Sequence, residues 1–186
     1  MIVFCSIQKG SKERDSQIDN LLSLMAQGNS SAVGKLYTLI KTDVYAFALS
    51  KTANIADAED LTQNTFVQVY KNAKLYKSQS KPMAWIFTIE LNLIRRHFQL
   101  KKRLTPFEEM DSELIEPSNT EDKVIKSELV RTLLSILNED EREVVVLHLI
   151  SGFKHREISK LLNKPLSTVL SKYNRAIKKL QSSVKE

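Results

Sequence analysis

The chain has 186 residues, enough for one domain or two small ones. Hydrophobic residues make up 42% and charged residues 27%, ordinary values for a soluble globular protein, and the single cysteine, Cys5, excludes an intramolecular disulfide. A net charge of +6 favours an anionic partner, nucleic acid or membrane surface, without choosing between them. No apolar run approaches the roughly 20 residues of a membrane-spanning helix. Met1 to Cys5 is too short for a signal-peptide core, and its basic residues follow rather than precede it. A reducing cytoplasm therefore suits the chain, with no membrane insertion.

Residues 1–16 read as a flexible leader. Gln17 to Gln27 then carries Leu21, Leu22, Leu24 and Met25 and stops at Gly28-Asn29, a helix end. Val33, Leu36, Tyr37, Ile40, Val44 and Phe47 recur at helical spacing over Ser31 to Thr52. Asp57 is placed to cap a third helix, with Leu61, Thr65 or Phe66, Val69 and Ala73 on one face. Leu75 to Lys81 is polar and loop-like. Pro82 then sits where a first helical residue belongs. The helix it opens carries Ile86, Ile89 and Leu93 as its buried stripe and ends in a basic tail, Arg95 to Arg103.

Composition shifts at Leu104. From there to Asp122 no Lys or Arg occurs, while seven positions are Asp or Glu, and Pro106 and Pro117 discourage helix. This reads as an acidic linker, 104–122. Helical patterning resumes with Val124, Leu129, Leu133 and Leu137, followed by an acidic turn from Asn138 and an apolar helix, Val144 to Ile150. The fold class is all-α: two small helical domains, 17–103 and 123–186, joined by that linker.

The C-terminal domain holds the most specific pattern, HREISKLLNKPLSTVLSKYNRAIKKL from His155 to Leu180. Ile158, Leu161 and Leu162 give a short helix its packing face. Asn163 suits the left-handed helix terminus, and Pro165 bars continuation. Ser167 is a natural N-cap for a second helix, in which Val169, Tyr173 or Ala176, and Leu180 face the core. Thr168, Leu170, Ser171, Lys172 and Arg175 then lie on the outer face toward the N-terminal end. That is a helix-turn-helix, whose second helix enters a DNA major groove. Lys178 and Lys179 are placed for phosphates. A merely solvated basic hairpin is the plainer reading. Turn chemistry, cap and polar outer face together favour DNA.

Two further segments, DAEDLTQNTF (Asp57 to Phe66) and WIFTIELNLIRRHFQLKKR (Trp85 to Arg103), precede this motif. In that order the three resemble the extracytoplasmic-function (ECF) sigma factors of bacterial RNA polymerase, over roughly Leu21 to Leu180. The resemblance implies a region 2-like domain, 17–103, and a region 4-like domain, 123–186. It implies that Asp60, Leu61 and Gln63 dock on the clamp helices of the polymerase β′ subunit. Asn64 stands where the family has Glu, removing one charge. The −10 promoter element, read as melted strand, falls by resemblance to the loop Lys77, Ser78, Gln79, Ser80 and Lys81, and to the helix carrying Asn92, Arg95, Arg96 and Lys102. Splayed bases want cations, aromatic platforms and hydrogen bonds, and these residues supply the first and last. Trp85 reads as core rather than stacking platform.

The −35 element, read as duplex, falls to Ser167, Thr168, Leu170, Ser171, Lys172 and Arg175, with Leu170, Ser171 and Arg175 at the family's main base-reading positions. Leu170 replaces a frequent Lys or Arg, so a bidentate guanine contact is lost there and a thymine methyl contact is possible. Glu90 stands where a small residue is common, and Arg96 where Asp is frequent. Region 4 also implies contact with the β flap. Family members are commonly held by an anti-sigma factor. Polymerase performs the nucleotide chemistry, so no catalytic group, cofactor or metal is expected. The sequence has no phosphate-binding glycine loop and no Cys/His metal spacing. His97, His148 and His155 read as ordinary solvated or core residues. A stand-alone helix-turn-helix regulator and a helical protein-interaction module are the competing readings. The first predicts tight duplex binding without polymerase, and the second no specific DNA binding.

Overall fold

The computed structural model describes residues 2–78, 81–104 and 135–183. The acidic linker, the helix expected from Val124, and the loop residues Gln79 and Ser80 lie outside them. Among the described residues every regular element is helical: α1 (Ile2–Ala26), α2 (Ser31–Thr52), α3 (Ile55–Asn72), a 3-10 turn (Ala73–Leu75), α4 (Pro82–Leu104), α5 (Glu139–Val145), α6 (His155–Leu162) and α7 (Leu166–Ser183). α5 runs on as a π-helical segment, Val146–Ile150.

The span read as a leader is helical in backbone. α1 starts at Ile2, without proline to break it, and runs through residues 1–16's expected span into the core-forming turns. Arg14 holds it against α2 by a fork onto both oxygens of Asp43 and by a 3.2 Å bond to the Leu39 carbonyl. Gly28, at φ 92°, ends the helix in a conformation that side chains resist. A correction concerns α3. Its N-cap is Asn54, whose side chain accepts from the Asp57 backbone at 2.9 Å. Asp57 sits one turn inside, near the positive helix end, and meets His97 (3.3 Å) and Lys101 (3.2 Å) of α4. The acidic stretch after Asn138 is likewise no turn. Asn138 and Glu141 form a reciprocal capping box that starts α5 there.

α2 is the central element. It packs against α1, α3, α4 and α5 and buries Leu36, Ile40, Val44 and Phe47 completely. α3 buries Leu61, Thr65, Phe66 and Val69, as its periodicity predicts, and Ala58 and Thr62 with them. α4 departs from expectation. Of Ile86, Ile89 and Leu93 only Ile86 is fully buried, and the buried stripe is Met83, Ile86, Phe87, Glu90, Leu91 and Ile94. A carboxylic acid in the middle of the stripe disguises its period.

The C-terminal helices close onto this bundle. α5 and its π-helical extension contact α2, and α6 contacts α4. Phe87 joins the halves. It meets Phe47 edge-on at 5.2 Å and Phe153 edge-on at 5.3 Å, pairs worth ~0.5–1.5 kcal/mol each beyond burial.

Glu90 is fully buried, and neither of its oxygens finds a side-chain partner; only the Ala48 backbone favours its charged form, and by less than burial opposes it. Burial first, and the neighbouring Asp43 charge second, push its carboxyl well above the usual range. The folded state thus keeps a proton that the unfolded chain loses, and the stability of the fold falls as pH rises above the unfolded value of about 4.3. We predict that Glu90→Met stabilises the protein by ~1–3 kcal/mol near pH 8 and by less near pH 5. Thermal unfolding of both proteins across that range checks it. A variant less stable than wild type at pH 8 would contradict the prediction.

Candidate nucleic-acid interface

The helix-turn-helix is built by local chemistry. α6 ends at Asn163 in the left-handed conformation (φ 52°, ψ 45°), and the Lys164 N–H returns to the Ser159 carbonyl at 3.0 Å. The Ser159 hydroxyl donates to the Lys164 carbonyl at 2.7 Å, fixing the turn from the other side. α7 then starts at Leu166, one residue before the expected cap. Ser167 is inside the first turn and exposed, and Val169 N–H bonds back to the Pro165 carbonyl at 3.1 Å. Val169 and Ala176 are buried against α5 and α6. Tyr173 fills the gap beside His148 and His155, edge-on to both rings.

The free face of α7 consists of Ser167, Leu170, Ser171, Asn174, Arg175 and Lys178, all exposed. Their spacing of three, four and seven residues puts them on one side. Leu170 is 39% exposed, large and apolar amid polar neighbours. Asn174 escaped the sequence reading. Its signal was there, seven residues after Ser167 and four after Leu170. Thr168 is only partly exposed, at the margin.

Lys172 is the marked departure. Its side chain is 15% exposed and its ammonium lies 2.5 Å from Asp140, turned from the free face toward α5. Asp140 also takes Lys164 at 2.7 Å, and Glu141 takes Lys179 at 2.7 Å. Three lysines near the recognition helix are thereby neutralised from within, while Arg175 and Lys178 remain exposed. The hydrogen bonds from Lys164 and then Lys172 hold the Asp140 carboxyl down at about 2. Burial pushes Glu141 up, but hydrogen bonds from Lys179 and the Asn138 backbone outweigh it, and its carboxyl is lowered.

The second cationic face lies on α4. Asn92, Arg95 and Arg96 are exposed on one side, continued by Gln99 and Arg103 and flanked by Lys102. Arg95 lies 3.5 Å from the Asn92 side-chain oxygen. At the start of α4 the polar loop is pinned to α1: Asp19 accepts from the Tyr76 hydroxyl and, at 3.1 Å, from Ser78. Lys77 is exposed, and Lys81 is engaged by Glu157 of α6 at 3.1 Å. Trp85 is half-buried and stacks obliquely on Tyr76 at 5.0 Å, a core role for its ring.

On α3 Asp60 and Gln63 are exposed, beside Asn64 and Val67. Leu61 is 5% exposed and part of the core. It supports that face from beneath rather than presenting a side chain on it. Among the described residues no group of His, Cys, Asp and Glu could hold a metal ion, and no helix is long and apolar enough to cross a membrane.

Comparison with known proteins adds to this geometry. Residues 36–104 match Sigma-70 region 2, and residues 127–180 match Sigma-70 region 4. The ECF RNA polymerase sigma factor EcfG of Rhodopseudomonas palustris is 30% identical over 140 residues, covering 74% of this chain and 76% of that protein. The chain belongs to the ECF sigma factors. The ECF sigma factor BldN of Streptomyces coelicolor is 28% identical over 176 residues, which is 89% of this chain and 66% of that longer protein. SigW of Bacillus subtilis is 23% identical over 188 residues, covering 92% of this chain and 99% of SigW. In fold, the sigma factor is similar to CnrH, solved with the cytosolic domain of CnrY, at a TM-score of 0.61 and 23% identity over 91% of this chain and 97% of that one. It is also similar to RpoE of Bartonella quintana, solved with the anti-sigma factor NepR, at a TM-score of 0.60 and 23% identity over 82% and 96%.

The pairing of Lys172 with Asp140 makes a prediction. Lys172→Ala and Asp140→Ala each lower thermal stability by up to ~1 kcal/mol, since Asp140 is half exposed and salt screens the pair, and the double variant loses less than the sum because both single changes remove the same interaction. Arg175→Ala leaves stability within ~0.5 kcal/mol. Since the Asp140 pKa is depressed in the fold, its contribution is full above about pH 4 and is lost as pH falls through about 2. Unfolding curves of the four variants check this. Additive losses would contradict it.

Proposed function

We propose that this protein is a dissociable promoter-specificity subunit. It binds core RNA polymerase in the cytoplasm, directs it to a small set of promoters and helps to melt the −10 element. The observation that carries the reading is the presence of two separate cationic faces on two helical halves of one chain. One is the α4 stripe from Asn92 through Arg96 to Lys102, and the other is the α7 face from Ser167 to Lys178.

The α7 face suits a duplex major groove, with its short polar side chains and Leu170 near the N-terminal end of the helix. Lys172 supports that helix internally, so Arg175 and Lys178 carry the phosphate and base contacts. The α4 stripe and Lys77, Ser78, Gln79, Ser80 and Lys81 suit a melted strand. Asp60 and Gln63 form an acidic, exposed patch that suits basic residues on the β′ clamp helices. The apolar side of the C-terminal domain suits the β flap. Two of the similar structures were solved with a bound partner, one of them named an anti-sigma factor, and we propose the same class of regulator here. Chemistry on nucleotides belongs to the polymerase, and the chain acts without catalysis.

The test is run-off transcription with purified core polymerase on fragmented host DNA, with and without the protein. Discrete transcripts requiring both components are expected. Footprints on duplex DNA by the protein alone, with no transcripts, would contradict the proposal and favour a stand-alone regulator. Leu170 generates a sharper prediction. Leu170→Arg changes the preferred base at one −35 position toward guanine, by ~1–3 kcal/mol of discrimination, because a guanidinium can bond guanine bidentately and an isobutyl group cannot. Selection from a randomised −35 library with both proteins measures it. An unchanged base preference at every position would contradict it.

A further inference from the structure

We infer that Asp19 of α1 is a positioning residue for the reading of the −10 element: by holding Tyr76 and Ser78 it fixes which side chains of the loop before α4 face DNA. This role rests on the promoter reading above. Asp19 is half-buried, and both oxygens of its carboxylate are committed to the loop. One accepts from the Tyr76 hydroxyl, and the other accepts from the Ser78 hydroxyl at 3.1 Å.

The backbone explains why one carboxylate takes both. Tyr76 is extended (φ −68°, ψ 127°) directly after the 3-10 turn, and its N–H closes that turn on the Ala73 carbonyl at 3.1 Å. In extended chain, residues two apart face one side and the residue between them faces the other. Tyr76 and Ser78 accordingly meet α1, while Lys77 between them is exposed. Trp85 of α4 also holds the Tyr76 ring, with centroids 5.0 Å apart. The start of the loop is therefore fastened to two helices at once. A shift of one residue there would exchange its inward and outward side chains, and the two hydroxyl bonds oppose that shift.

Charge gives the arrangement a direction. Asp15 lies one turn before Asp19 on α1, and burial first, then the Asp19 charge, push its carboxyl up. Two acids this close repel phosphate from the α1 side of the loop and leave the side of Lys77 to the strand. Ser78 gives its one hydroxyl proton to Asp19, so toward a base it can only accept.

The test uses the full chain assembled with core polymerase, on a promoter found by run-off transcription. Wild type, Asp19→Ala, Tyr76→Phe and the double variant each select from two libraries, one randomised over the −10 element and one over the −35 element. Tyr76→Phe removes one oxygen, keeps the ring against Trp85 and changes no charge at neutral pH, so it separates positioning from both unfolding and electrostatics. Each single variant is expected to flatten the −10 base preference roughly three- to tenfold, the worth of one hydrogen bond, and to leave the −35 preference as it was. The double variant flattens it no further than Asp19→Ala, because both changes break the same bond. An unchanged −10 preference in both single variants, or equal flattening at −10 and −35, would overturn the assignment while wild type still selects. A wild-type protein that selects no −10 sequence at all would overturn the promoter reading and this role with it.

Discussion

Glu143 ties three parts of the chain together: α5, the N-terminal bundle and the turn of the helix-turn-helix. Its side chain is 4% exposed and lies between two cations from different parts of the chain: Lys51 of α2, at 3.3 Å, and Lys164 of the helix-turn-helix turn, at 2.8 Å. A buried carboxylate left with one partner would be costly, so the three groups hold or fail together. Lys51 attaches α5 to the N-terminal bundle. Lys164 attaches α5 to the turn that aims α7. One link from the bundle to the helix after the turn therefore passes through this carboxylate, beside the Lys81–Glu157 pair and the Phe87–Phe153 contact.

The same helix sorts the charges of the C-terminal half. Three neighbouring acids, Asp140, Glu141 and Glu143, are aimed at lysines of α7 and of the turn before it, and each finds one or more. What remains toward solvent on the free face is Arg175 and Lys178 beside small polar groups and Leu170. The surface proposed to meet DNA is thus made by subtraction. The basic character of the segment is spent largely on orientation, and the residues left outward are those that base edges and phosphates can meet. In the N-terminal half the division is different. The cations of α4 from Arg95 onward are exposed, with Asp57 of α3 drawing in Lys101 and His97.

Local features of the fold were legible in the sequence, and long-range ones were not. The span Ser31–Thr52, the buried face of α3, Pro82 at the start of α4 and the left-handed Asn163 all follow from side-chain periodicity or backbone preference within a few residues. The α4 stripe was misread because Glu90 occupies a core position, which a hydrophobic pattern cannot count. Asp57 was misread as a cap because Asn54, three residues earlier, has the same capacity and the extended backbone that the role needs. For the candidate site, the outer face of α7 could be drawn from spacing alone, apart from Asn174. The commitment of Lys172 to Asp140 could not, since the partner lies 32 positions away, in a segment that looked like a turn. Leu61 was carried as a docking residue by family position, although its place on the periodic face of α3 already marked it for the core.

The central claim is that the two halves of this sigma factor read two different promoter elements, one through α4 and one through α7. Site-specific photo-crosslinking within the assembled polymerase–promoter complex tests it most directly, with a photoreactive residue placed at Asn92 in one preparation and at Asn174 in another. The account predicts that the probe at position 92 labels a melted strand of the −10 element and the probe at position 174 labels duplex at the −35 element. Labelling of the same element by both probes, or of no DNA by either within an active complex, would contradict it.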